Sequence, residues 1–208
     1  MAFTLTATRV AFEKLALLIE EKKEYLTDLD SAIGDADHGI NMNRGFKKVM
    51  EKFQGKEYSD LNEIFRDVAM TLMSAVGGSA GPLYGTFFMK TGQALAGKKE
   101  ATAEEFADAL QEGLDATMKL GKSVLGDKTM VDAISPAIEA LRSKPGDERA
   151  AWIAAADAAE DGMKATIPML AKRGRSSYLG ERSIGHQDPG ATSSWYLFSC
   201  FKDALEGK

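Results

Sequence analysis

Apolar residues recur along this chain at helical spacing and almost nowhere at strand spacing. Phe46, Val49, Met50 and Phe53 fall at i, i+3, i+4 and i+7, one face of a helix. A dense apolar set from Val10 to Leu29 predicts an earlier helix. Asp60 and Glu63 form a capping-box pattern ahead of Leu61, Ile64, Phe65, Val68 and Leu72. Pro82, directly after Gly81, suits the first turn of a fourth helix. Thr102 and Glu105 repeat the capping box before Phe106, Leu110, Leu114 and Thr117. Thr129 to Arg142 reads as a sixth helix that Pro136 should kink or interrupt. Glu148 to Ala171 reads as a seventh, with Trp152, Ala156, Ala159, Met163 and Ile167 near one stripe. An eighth starts near Ala191 and carries Trp195, Phe198, Phe201 and Leu205. No Asn-Gly or Asp-Gly turn separates alternating runs, so strands are not expected. The expectation is all-α: one domain over 1–208, of antiparallel helices with short connections.

Four connections depart from that economy by being rich in Gly and polar residues. They are 34–39, 77–82, 121–129 and 174–190, and they follow the first, third, fifth and seventh helices. If helices alternate up and down, all four arrive at the same end.

Composition narrows the function. Twenty-six basic against thirty-one acidic residues leave a net charge of −5, which argues against a nucleic-acid partner. No apolar run approaches the ~18 residues of a membrane span, and no basic-then-apolar leader opens the chain. Cys200 stands alone, so no internal disulfide is expected, and a reducing cytoplasm fits.

The candidate chemistry lies in the four connections. Asp30, Asp35 and Asp37 crowd into eight residues. Carboxylates this close stay ionised cheaply only around a cation, and oxygen-only donors select a hard ion such as Mg²⁺, Mn²⁺ or Ca²⁺. The alternative is a solvated acidic turn in which Asp28 or Asp30 caps a helix. Gly77-Gly78-Ser79-Ala80-Gly81-Pro82 precedes a helix, so its amides can cradle an anion; a purely structural turn is the other reading. No Walker lysine follows. Arg175 suits forked pairing with phosphate oxygens, or else complements the dipole of the seventh helix with Lys172 and Arg173. Asp127 suits an N-cap of the sixth helix, and Met130 is soft enough to meet a purine. Anion-binding loops beside an acidic cluster are consistent only if divalent ions separate the charges. The chemistry suggested is phosphoryl transfer on a metal–nucleotide.

Gly34-Asp35-Ala36-Asp37-His38-Gly39-Ile40-Asn41-Met42-Asn43-Arg44-Gly45 resembles the signature of the nucleotide-binding L subunits (DhaL family) of dihydroxyacetone kinases. Gly77 to Gly85, Gly126 to Met130 and Gly174 to Thr192 are similar too, so the resemblance spans nearly the whole chain. It implies an eight-helix antiparallel up-and-down barrel with the nucleotide at one end. It implies Asp30, Asp35 and Asp37 as ligands of two Mg²⁺ ions. It implies His38, Gly39, Ile40, Asn41, Gly78, Ser79, Gly121, Thr129, Met130, Arg175, Asp188, Pro189 and Gly190 around ADP or ATP, with Arg175 as the catalytic cation. Members place a Ser directly before the Gly-Pro of the second loop; here Ala80 stands there, with Ser79 one position earlier.

The family works in two modes. In one, this domain is fused behind a substrate domain and consumes ATP. In the other, it is a free subunit of the phosphotransferase system, and a chain of this length points there. Held ADP is then a cofactor, recharged by a phosphocarrier subunit and spent on dihydroxyacetone bound to a K subunit. The alternatives are a subunit that exchanges free ATP, a regulatory nucleotide-binding module, and a Mg-dependent hydrolase, for which no residue clearly supplies a base.

Overall fold

The computed structural model describes residues 2–205 and 207. Its helices are α1 (Leu5–Glu21), α2 (Lys23–Ile33), α3 (His38–Phe53), α4 (Leu61–Ala75), α5 (Ala80–Ala94), α6 (Ala103–Gly121), α7 (Val131–Arg142), α8 (Glu148–Ala165) and α9 (Pro189–Leu205). A 3₁₀ segment covers Arg175–Ser183. Two short strands, β1 (Phe3–Thr4) and β2 (Glu100–Ala101), pair antiparallel with Phe3 opposite Ala101.

The helices close a ring. From α3 to α9 each packs on the next, and α1 completes the circle between α9 and α3. The single first helix expected at Val10–Leu29 is broken at Lys22 into α1 and α2. Together they form one bent stave, so the ring has eight. Every stave turns its apolar stripe inward. Phe3, Phe12, Phe65, Phe88, Phe106, Trp152 and Phe201 fill the centre, with Phe3 stacked on Phe201 at 5.1 Å and Phe12 edge-on to Phe65 at 5.3 Å. Among these rings lies a void of about 10 Å³, too small to hold a ligand. The aromatic core thus fills the middle of the barrel.

Two proline effects differ from expectation. Pro136 leaves α7 continuous. It cannot donate to the Asp132 carbonyl, and Gly162 of α8 packs over that spot: a Cβ there would lie 2.1 Å from the carbonyl oxygen. The seventh helix, expected to run to Ala171, stops at Ala165, three residues before Pro168. The residue ahead of a proline is driven out of the helical region, so the turn ends early. Ile167 falls outside the helix and is 37% exposed.

Candidate functional site

The parity expected from the sequence is realised. Residues of all four Gly-rich connections line one cavity of about 410 Å³ at one end of the barrel. The first contributes Asp30, Asp35, Asp37 and His38. The second contributes Gly77 to Ala80. The third contributes Gly121, Ser123 and Lys128 to Met130, and the fourth Arg173 to Ser176 and Asp188 to Gly190.

The acidic cluster is built by backbone geometry. Asp30 Oδ2 accepts the amides of Asp37 at 2.8 Å and His38 at 3.1 Å, so Asp30 caps α3 from the preceding helix. Gly34 is required beside it, because a Cβ would come 2.0 Å from Asp30 Oδ1. Ala36 adopts φ +60°, a left-handed conformation that costs a non-glycine residue about 1–3 kcal/mol. That turn sets Asp35 and Asp37 on either side, and one oxygen from each of the three acids lies within 4.8 Å of the others. Burial first, and then the Asp35 charge, hold the Asp37 carboxyl above the usual carboxylate range. Arg175 Nε reaches Asp35 Oδ2 at 2.8 Å from across the cavity. Both readings of the acidic residues thus meet in Asp30: one oxygen caps a helix while the cluster as a whole offers a hard, oxygen-only donor set.

The floor is neutral and tightly bonded. His38 Nε2 and Ser193 Oγ lie 2.9 Å apart, and Tyr84 Oη bonds Ser193 Oγ at 2.7 Å and Ser194 Oγ at 2.8 Å. Tyr84 also donates to the Gly190 carbonyl at 3.1 Å. Burial pushes the His38 imidazole down to about 4 and the Tyr84 phenol up to about 12, so both are uncharged at neutral pH. Asp188 Oδ2 accepts the Ala191 amide at 2.7 Å, and burial raises its carboxyl to about 7. Leu83, Leu120 and Met130 add apolar side chains to the lining.

Of the residues predicted for the site, His38, Gly78, Ser79, Gly121, Thr129, Met130, Arg175, Asp188, Pro189 and Gly190 line the cavity, with the three aspartates. Gly39, Ile40 and Asn41 do not. Gly39 seats α3 on α2, where a Cβ would come 2.1 Å from the Lys23 carbonyl. Asn41 Oδ1 accepts from Arg44 Nη2 at 2.7 Å, its side chain also bonds the Asp37 carboxyl and lies beside Gly77, and Ile40 is half exposed outside the cavity. Ser79 begins α5 without making a capping bond, so its hydroxyl stays uncommitted. Asp127 does not cap α7. It takes the Val124 amide at 3.0 Å and Arg173 Nε at 3.2 Å, while Asp132 takes the Gly126 and Thr129 amides.

Lys128 and Tyr84 are among the site residues that the sequence did not point to, with Leu83, Leu120 and Ser193. Lys128 is 1% exposed and donates only to carbonyls. Tyr84 gave no signal beyond its position one turn into α5.

Residues 32–203 match the DAK2 domain family. The chain is 46% identical over 183 residues to the ADP-binding DhaL subunit of the PEP-dependent dihydroxyacetone kinase of Escherichia coli K12, covering 86% of this chain and 87% of that one. It is 42% identical over 203 residues to the corresponding subunit of the PEP-dependent dihydroxyacetone kinase 2 of Listeria innocua, covering 93% and 92%. The crystal structure of the dihydroxyacetone kinase of C. freundii in complex with AMP-PNP and Mg²⁺ superposes with a TM-score of 0.74 at 26% identity. That match covers 96% of this chain and about a third of the larger one, 33%.

Proposed function

The chain belongs to the DAK2 domain family, and from that premise we propose that it is the ADP-binding subunit of a phosphotransferase-system dihydroxyacetone kinase. The observation that carries this reading is the meeting of an acidic cluster, an uncapped Gly-rich helix start and an arginine around one cavity. Relatives matched over nearly their whole length are ADP-binding subunits of PEP-dependent kinases, which supports the relay mode over direct consumption of ATP.

Electrostatics dictates the division of labour. A carboxylate and a phosphate oxygen ~4 Å apart repel by about 4 kcal/mol per charge pair at an intermediate effective dielectric. Three aspartates facing a polyphosphate are tolerable only with divalent cations between them. In this reading Asp30, Asp35 and Asp37 hold two Mg²⁺ ions, which neutralise β- and γ-oxygens when bound. Asp30 commits Oδ2 to α3 and keeps Oδ1 for metal. Gly78, Ser79 and the start of α5 present donors to the phosphates. Leu83, Leu120 and Met130 receive the base. Arg175, set at the mouth, meets developing charge on the transferred group. The neutral His38–Ser193–Tyr84 floor adds no charge of its own and fixes Gly190.

The γ-phosphoryl group passes to dihydroxyacetone on a partner K subunit, and a separate phosphocarrier subunit restores ATP from ADP. The protein therefore acts in the cytoplasm. Among the described residues no helix is long and apolar enough to cross a membrane. Denaturing the purified protein and identifying the released nucleotide tests the reading. ADP, with turnover on reconstitution with K and carrier subunits and phosphoenolpyruvate, is the expected result. Turnover supported only by excess free ATP would instead mark an exchanging subunit.

A further inference from the structure

The fourth connection is a loop with a narrow neck. At its base the Gly185 amide donates to the Ile167 carbonyl at 2.8 Å, and the Ala171 amide donates to Ser183 Oγ at 2.9 Å. At its far end Arg173 to Ser176 reach the cavity, and Arg175 meets Asp35. One side chain from a different loop occupies the neck. Lys128 Nζ lies 2.9 Å from the Thr166 carbonyl, 3.2 Å from Met169, 2.7 Å from Ser183 and 2.6 Å from His186, with Ile167 at 3.5 Å.

This is an unusual use of a buried lysine. An ammonium has three N–H groups, so at most three of the five carbonyls take full hydrogen bonds and the others take ion–dipole attraction. The carbonyls come from both limbs: Thr166, Ile167 and Met169 lead in, while Ser183 and His186 lead out. The first two follow directly on the end of α8, and their carbonyls also accept the Met169 and Gly185 amides. Lys128 reaches them from a left-handed backbone, φ +63°, itself a costly conformation for lysine. The preceding residue grips the same loop with the opposite charge: the Asp127 carbonyl accepts the Lys172 amide at 3.1 Å, and its carboxylate accepts Arg173 Nε.

We infer that Lys128 is the positioning residue of the arginine loop: by drawing both limbs onto one ammonium, it fixes Arg175 over the acidic cluster. The inference rests on the reading of Arg175 given above. Lys128 touches neither the transferred group nor its acceptor; it acts through the loop.

A double-mutant cycle with hydrogen exchange tests this. Lys128→Met keeps the stem and removes the ammonium. In that variant, amide exchange across 170–186 should accelerate while exchange in α4 to α6 stays unchanged. Turnover of the reconstituted complex should fall by about 10²-fold in kcat, the scale expected when a catalytic group is displaced by an ångström, with KM for dihydroxyacetone little altered. The Lys128→Met/Arg175→Ala protein should be no slower than Arg175→Ala alone, because both changes remove one function. Losses that multiply, or unaltered exchange in 170–186, would overturn the inference. If Lys128→Met does not fold, Lys128→Gln, which keeps two N–H donors, should show the same pattern at smaller amplitude, and its additivity with Arg175→Ala decides equally. Wild-type turnover in Arg175→Ala would contradict the role of Arg175 itself and leave the exchange result to judge Lys128.

Discussion

The two ends of the barrel start their helices differently. At the end away from the cavity, α1, α4, α6 and α8 each begin with a side-chain cap. Thr4 accepts the Ala7 amide at 3.2 Å, Asp60 that of Glu63 at 2.9 Å, and Asp147 that of Ala150 at 3.0 Å. Thr102 and Glu105 complete a reciprocal box. At the cavity end α3, α5 and α7 have no such bond from their N-cap residues Asp37, Ser79 and Met130; α3 is capped instead by Asp30 of the preceding helix, and α9 by Asp188, which accepts the Ala191 amide. The far end is sealed elsewhere too, with Arg9 donating to the Phe53 and Lys56 carbonyls at 3.0 Å each. The far end spends its polar side chains on its own backbone, while the cavity end leaves the start of α5 and the remaining oxygens of the acidic cluster for a guest. Side-chain caps contribute about 1 kcal/mol each, so the uncapped start of α5 gives up stability where function needs free donors.

Substitutions can break this contrast at chosen points. The largest effect is expected from the acidic cluster. Asp35→Ala should abolish nucleotide retention with little loss of stability, because Asp35 makes no capping bond. Asp30→Ala should abolish it as well and also destabilise the protein by about 1–3 kcal/mol, since two α3 amides lose their acceptor. Denaturant melts of the two variants beside their ADP content measure the difference; equal stability loss would remove the dual role of Asp30.

At the far end the effect is smaller and purely structural. Thr102→Ala should cost about 1 kcal/mol in a urea melt and leave ADP affinity unchanged.

The smallest net effect is the pH dependence of the metal-free protein, because two groups of opposite slope largely offset each other. His38 titrates near 4 when folded and about 6.5 when unfolded. Between those values the unfolded chain holds a proton that the folded one lacks, so this group's contribution falls as pH drops from about 6.5 towards 4. Asp188, raised to about 7, acts in the opposite sense over much of that window. Asp188→Asn should therefore make acid destabilisation steeper, and His38→Gln should make it shallower, by thermal melts across that range.

The same contrast explains what the sequence made legible. Capping boxes at Asp60 and Thr102 marked the far-end helix starts because the determinants are local. The parity of Gly-rich connections placed four loops at one rim, since helix alternation needs no side-chain detail. The break at Lys22 has no Gly or Pro beside it, so no local residue announced it. The early end of α8 had a local sign, Pro168, which the Ala-rich stripe outweighed. Asp127 resembled a cap, but the competing acceptor, Asp132, lies inside the helix it helps to start. Lys128 was unreadable because its five acceptors lie 38 to 58 residues away in the chain. In the same signature segment Gly39 seats α3 on α2, while Asn41 bonds Asp37 at the edge of the acidic cluster.

The central claim is that the acidic cluster tolerates a polyphosphate only through divalent cations. Calorimetric titration of ADP into nucleotide-free protein, with Mg²⁺ and then with excess chelator, addresses it directly. The account predicts affinity lower by at least about 10²-fold without the cation, the equivalent of removing one opposed charge pair at ~4 kcal/mol with part of that offset by solvent. Equal affinity in both titrations would contradict it.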